Sequence, residues 1–149
     1  MNNNKIRKVL YMGIERFLHA QENTYPVALQ EVKSGKKQSH WIWYIFPQLK
    51  GLGYSNKSQY YGIKDAKEAE EYWEHPVLRK RLLDITDALI EQKHNNTISE
   101  IFGSIDARKV KSCMTLFYLI TNDVLFKDVI DIYYKGELCN STITLLKLK

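Results

Sequence analysis

A chain of 149 residues that is 44% hydrophobic and 12% aromatic has the length and apolar mass of one domain burying roughly 70% of its unfolded surface, which excludes gross disorder. No apolar run approaches the ~20 residues of a membrane span. The opening MNNNKIRK leads into an amphipathic pattern rather than a signal-peptide core, so a cytoplasmic protein is expected. The net charge of +5 is concentrated. Between residues 33 and 67 stand Lys33, Lys36, Lys37, Lys50, Lys57, Lys64 and Lys67 against the single acid Asp65. A positive field of this kind favours an anionic partner.

Residues 4–21 are predicted to form a helix, with Ile6, Val9, Leu10, Ile14, Phe17 and Leu18 on one face. A second, shorter helix is predicted over 25–34, with Thr24 as N-cap, Pro26 in its first turn and Gly35 as its stop. Lys36, Lys37 and Gln38 connect it to SHWIWYIFPQ (39–48), in which six apolar residues precede Pro47. Periodicity alone does not separate helix from buried strand there. The rest of the chain offers only weak strand partners, so a short helix over 39–46 is expected, capped by Ser39 and stopped by Pro47. Apolar on every side, it belongs at the centre of the domain. Its free N–H groups, beside Lys36 and Lys37, suit a phosphate or carboxylate.

Gly51 and Gly53 mark a loop, and 55–63 is polar, tyrosine-rich and interrupted by Gly62. Asp65 is placed to cap a helix over 66–74. Pro76 opens a longer one to about Lys93, with the stripe Leu78, Leu82, Ile85 and Leu89. Thr97-Ile98-Ser99-Glu100 has the capping-box pattern and leads to a stop at Gly103. Asp106 is expected to cap a helix through about Ile120, with Val110, Cys113, Met114 and Phe117 inward. Asp123 caps the next, with Leu125, Val129, Ile132 and Tyr133 inward, and Ser141 begins a last short helix. The result is a single all-α domain, 1–149, of about eight helices around a central aromatic-rich segment and not a simple four-helix bundle.

With these segments laid out, the sequence resembles a bacterial and fungal family known as domain of unknown function 1810. The matching stretches are RFLHAQ (16–21), SHWIWYIFPQLKGLG (39–53), YYGI (60–63), HPVL (75–78), IFG (101–103) and KSCMTLF (111–117). The resemblance implies a mainly helical fold and no established activity. Some relatives carry the label calpastatin, which an extended disordered inhibitor would earn and this core-rich composition does not fit. The family pattern has an acidic residue ahead of its final TL-type segment, where Cys139 or Asn140 stands here.

No GxSxG elbow, Walker loop, GxGxxG or HExxH motif occurs, and Cys113 and Cys139 have neither CxxC nor zinc-ligand spacing. No metal or cofactor is therefore expected. Ser39 and His40 are neighbours about 100° apart on a helix, poorly placed as nucleophile and base. His40 with a distant carboxylate such as Asp106 forms a candidate acid/base pair. Trp41 and Trp43 lie about 200° apart on a helix, so at most one of them can line a pocket. Lys36, Lys37, Ser39, Trp41, Gln48, Tyr60, Tyr61 and Lys109 are candidate ligand-binding residues for an anionic, phosphate- or nucleotide-like small molecule at the start of the segment. Two alternatives use other chemistry. One is nucleic-acid binding through the lysine-rich stretch 33–67, opposed by Glu68, Glu70, Glu71 and Glu74. The other is a protein-interaction module without catalysis.

Overall fold

Asp65, Thr97 and Asp123 each accept a backbone N–H of the turn they precede, and each starts a helix. They punctuate a computed structural model that describes residues 12–149. Among these residues there are nine helices and no strand: α1 (Glu15–Lys33), α2 (Ile42–Ile45), α3 (Asn56–Tyr61), α4 (Ala66–Glu74), α5 (Pro76–Glu91), α6 (Ile98–Phe102), α7 (Ser104–Thr121), α8 (Val124–Tyr134) and α9 (Asn140–Leu148). The fold is all-α. None of these helices is long and apolar enough to cross a membrane.

The hub is α7, which packs against α4, α6, α8 and α9. From Ser112 to Phe117 it is buried on every side, as expected of a helix with no solvent face. The stripe of α5 (Leu78, Leu82, Ile85, Leu89) is buried as expected. The aromatic segment joins the same core: Trp41, Phe46 and Phe102 make mutual ring contacts at 5.6–6.3 Å.

Several expectations are corrected. Of the helix expected over 4–21, residues 4–11 lie outside the described residues, and within them helix begins at Glu15. It then runs unbroken through Thr24 and Pro26 to Lys33, so the two expected helices are one. Pro26 and Glu22, whose carbonyl loses its partner there, are both exposed. The interruption thus falls on the solvent side, and burial of Phe17, Gln21, Ala28 and Val32 holds the helix together. Asn56–Tyr61 is an additional helix, started by the Ser55 side chain. In α8 the inward face is rotated: Phe126 and Ile130 are buried with Val129, whereas Ile132 is 39% exposed.

Two motif segments are tied side by side. Lys50 N–H donates to Ile63 O (2.8 Å) and Ile63 N–H to Gln48 O (2.9 Å), forming an isolated parallel bridge between Leu49 and Ile63. Gly62 makes this approach possible. A Cβ there would stand 2.6 Å from Lys50 Cα and 2.8 Å from Ser58 O. Gly62→Ala is therefore expected to destabilise the fold by about 1–3 kcal/mol through overpacking. Urea unfolding measures this, and an unchanged midpoint would show that the pairing relaxes without strain.

Candidate functional site

The entrance of the aromatic segment is occupied by the protein itself. Glu31, on α1, accepts the Gln38 N–H (2.9 Å), the Ser39 N–H (3.0 Å), the Ser39 hydroxyl (2.6 Å) and the Trp41 indole N–H (2.8 Å). Burial pushes this carboxyl up, but the four hydrogen bonds outweigh it and hold it down at about 2. The anion that suits this turn is thus an internal carboxylate. Ser39 does not cap a helix, because its hydroxyl serves Glu31. The segment makes only the single turn Ile42–Ile45, with Trp41 at the N-cap position.

Lys37 meets the start of α7, and its charge there is likewise internally neutralised. Asp106 Oδ2 lies 3.1 Å from Lys37 Nζ, and Oδ1 lies 3.8 Å from Lys109 Nζ. Asp106 is not the N-cap of α7. Gly103 holds that position with φ +80°, and Asp106 sits in the first turn. Lys36 and His40 are exposed. No hydrogen bond joins His40 to Asp106, whose carboxylate is taken by the two lysines, so the expected acid/base pair is not assembled.

Of the two tryptophans, Trp41 is core, with no exposed surface and its N–H given to Glu31. It therefore does not line a pocket. Trp43 does. Lys57 Nζ and Lys109 Nζ lie 4.8 and 5.4 Å from its ring centroid. Its buried indole N–H meets no acceptor. The ring borders a small cavity with Gln48, Ser58, Tyr61 and Lys109. Tyr61 packs against Tyr44 and Tyr60 at 5.1 and 4.8 Å, and burial pushes its phenol up.

Gln48 and Lys109 also line a larger groove of about 570 Å³, along α7 and the start of α9, which contains Arg108, Lys111, Ser112 and Cys139. Its one carboxylate, Glu137, is paired with Lys111 at 2.7 Å. Sequence reasoning missed this groove as a whole. Arg108, Lys111 and Ser112 recur at the i, i+3, i+4 spacing of one helical face, a signal available from the start of α7. Tyr60 lies elsewhere, in a cleft of about 390 Å³ where Lys50, Lys64 and Lys67 are interleaved with Asp65, Glu68 and Glu71. Much of the positive field of 33–67 is offset locally there.

A family profile described as protein of unknown function (DUF1810) matches residues 11–146. The chain belongs to that family. The crystal structure of the conserved hypothetical protein Rv1873 from Mycobacterium tuberculosis is similar, with a TM-score of 0.88 and 37% identity over 91% of this chain and 97% of that chain. No curated protein matches. Within this DUF1810 chain the long motif SHWIWYIFPQ has a structural entrance, sealed by Glu31, and an exit at Pro47–Gln48 that borders the groove.

Proposed function

We propose that this protein binds an anionic small molecule, phosphate- or carboxylate-bearing, in the groove at the exit of the aromatic segment. The observation that carries the reading is the convergence of Arg108, Lys109 and Lys111 with Gln48 and Ser112 in one groove whose single carboxylate, Glu137, is already paired with Lys111. A few polar groups beside an apolar wall, here Leu52, Ile105 and Leu138, is a usual composition of a ligand site. Arg108 and Lys109 supply charge-assisted donors, and Gln48 fixes orientation. The reading ends at binding, because Asp106 is held by lysines and His40 stands apart from it.

Thermal shift and titration calorimetry against a panel of phosphates, nucleotides and carboxylates test it. At least one compound is expected to stabilise the protein at millimolar concentration, by about 2.7 kcal/mol at a hundredfold excess over Kd. Arg108→Gln and Lys109→Gln are expected to abolish the effect, and His40→Ala to leave it unchanged. No stabilisation by any compound, or equal stabilisation of the Arg108 and Lys109 variants, would overturn the reading.

A further inference from the structure

Gln48 and Lys109 line both the groove and the separate, small cavity beside Trp43. That cavity measures about 10 Å³, room for one water-sized atom or group. Its polar lining is one-sided. The Trp43 indole N–H and the Lys109 ammonium are donors that can accept nothing. Tyr61 adds a phenol, which burial pushes up and so keeps protonated. Ser58 is buried and accepts from the Ser55 hydroxyl at 2.9 Å, which leaves its own proton to give. No carboxylate lines the cavity among the described residues.

Donors outnumber acceptors here in fact as well as in type. The Trp43 N–H is buried and meets no acceptor among the described residues, a state that native structures rarely leave unanswered. The Gln48 side chain makes no hydrogen bond among the described residues either. Charge is unbalanced in the same direction. Lys57 Nζ and Lys109 Nζ lie 4.8 and 5.4 Å from the Trp43 ring centroid, and Lys57 makes no ion pair among the described residues. Asp106 stands 3.8 Å from Lys109 and gives its nearer contact, 3.1 Å, to Lys37. Lys37, Lys57 and Lys109 thus set three positive charges against one negative. A cation has nothing to hold it in such a lining, whereas an acceptor with negative charge meets donors and field together.

We infer that the Trp43 cavity is a binding pocket for one acceptor atom of an anion, which takes the Trp43 N–H and the Gln48 amide in the field of Lys57 and Lys109. A chloride-sized ion and the leading oxygen of a carboxylate share that chemistry. Because Gln48 and Lys109 belong to both spaces, the atom has two sources: a free ion from solvent, or the end group of a ligand seated in the groove. Only the second source rests on the groove reading above; the pocket itself stands on its own lining. Trp43 is then the residue that recognises the anion, through its N–H, while its ring face is held by the two ammonium groups.

Heteronuclear NMR of the full chain, labelled with heavy nitrogen in its tryptophans, tests this. The indole N–H signals report Trp41, Trp43 and Trp73, and Trp43→Phe, which keeps a ring and removes the N–H, assigns the one that matters. Sodium chloride and sodium formate are titrated through the millimolar range, with sodium perchlorate, whose anion is a poor acceptor, as the ionic-strength reference. The Trp43 signal is expected to move downfield and saturate with chloride or formate. The Trp41 signal, whose N–H is committed to Glu31 at 2.8 Å, should stay in place. Gln48→Leu and Lys109→Gln are each expected to weaken the apparent affinity about tenfold. Dependence on Arg108 separates the sources: a shift that persists in Arg108→Gln marks a free ion, and one that is lost with it marks the end group of a groove ligand. A Trp43 signal that no anion moves, that perchlorate moves equally, or that moves alike in Gln48→Leu and Lys109→Gln overturns the inference, since the N–H then meets water alone. If phosphates or carboxylates stabilise the protein through Arg108 while Trp43 stays unmoved, the pocket fails and the groove reading stands. If chloride or formate moves Trp43 and no compound stabilises through Arg108, the groove reading fails and the pocket stands.

Discussion

Arg16→Ala is expected to destabilise the protein by about 3–5 kcal/mol, the range for breaking a buried ion pair, and to lower Tm by on the order of 10 °C. All five guanidinium donors are used. Nε donates to Tyr60 O (2.7 Å), and one terminal nitrogen donates to Gly13 O and to Glu68 Oε2 (3.0 Å). The other donates to Gly62 O (2.8 Å) and Glu68 Oε1 (2.9 Å). Both partners are nearly inaccessible, with side-chain exposures of 7% and 9%. Truncation leaves Glu68 as a buried charge with the Lys64 N–H and the Lys64 charge to meet it, and removes the donors to the carbonyls of Gly13, Tyr60 and Gly62. Burial pushes the Glu68 carboxyl up, while Arg16 and the Lys64 N–H hold it below the ordinary carboxylate range. Arg16→Lys should recover little, because an ammonium cannot reproduce the two-pronged fork to Glu68 and the three carbonyl contacts. Urea unfolding decides the matter. A loss below about 1 kcal/mol would mean that the pair is no better than a solvated one.

What was legible in the sequence was local. Asp65, Thr97 with Glu100, Pro76 and Asp123 start their helices where expected, because a cap and the N–H it satisfies lie within one turn. The stripes of α5 and α7 were legible for the same reason. Pro26 misled because its local penalty is outweighed by a buried face spanning four turns, a tertiary effect. The α8 register slipped because Leu125–Phe126 and Val129–Ile130 offer two overlapping apolar faces, and contact with α5 and α7 selects between them.

The site was legible in its parts and not in its arrangement. The helical separation expected of Trp41 and Trp43 allowed at most one of them a pocket and did not say which. Which is which follows from Glu31, ten residues upstream, whose role as acceptor is invisible in a helical pattern. The lysines suggested an anionic ligand, whereas the negative charge that Lys37 and Lys109 meet in the fold is Asp106. Internal carboxylates and external anions answer to the same donors, so only geometry tells them apart. Gln48 and Lys109 are the two expected residues that the fold brings to the groove.

Glu31 gives the second large effect, and its pH dependence identifies the mechanism. Its carboxyl is held at about 2 in the folded protein against 4.5 ordinarily. A depressed folded value means that the stabilisation is fully present above the unfolded value and is lost as pH falls from about 4.5 towards about 2. Glu31 is only half-buried, so solvent screening limits this ionic contribution to about 1–2 kcal/mol. Glu31→Gln keeps an acceptor oxygen and should lose about that much at neutral pH. Glu31→Ala removes every acceptor from Gln38, Ser39 and the buried Trp41 indole, and should lose about 2–4 kcal/mol. Glu68 also contributes to acid lability, so the wild-type curve alone does not isolate Glu31. The difference between wild type and Glu31→Gln does, because Glu68 is common to both. That difference, measured by urea unfolding, should be largest at neutral pH and close progressively below pH 4.5. A gap that stays constant to pH 2.5 would mean that shape, not charge, anchors the 38–41 turn, and the internal-anion account of the entrance would fail.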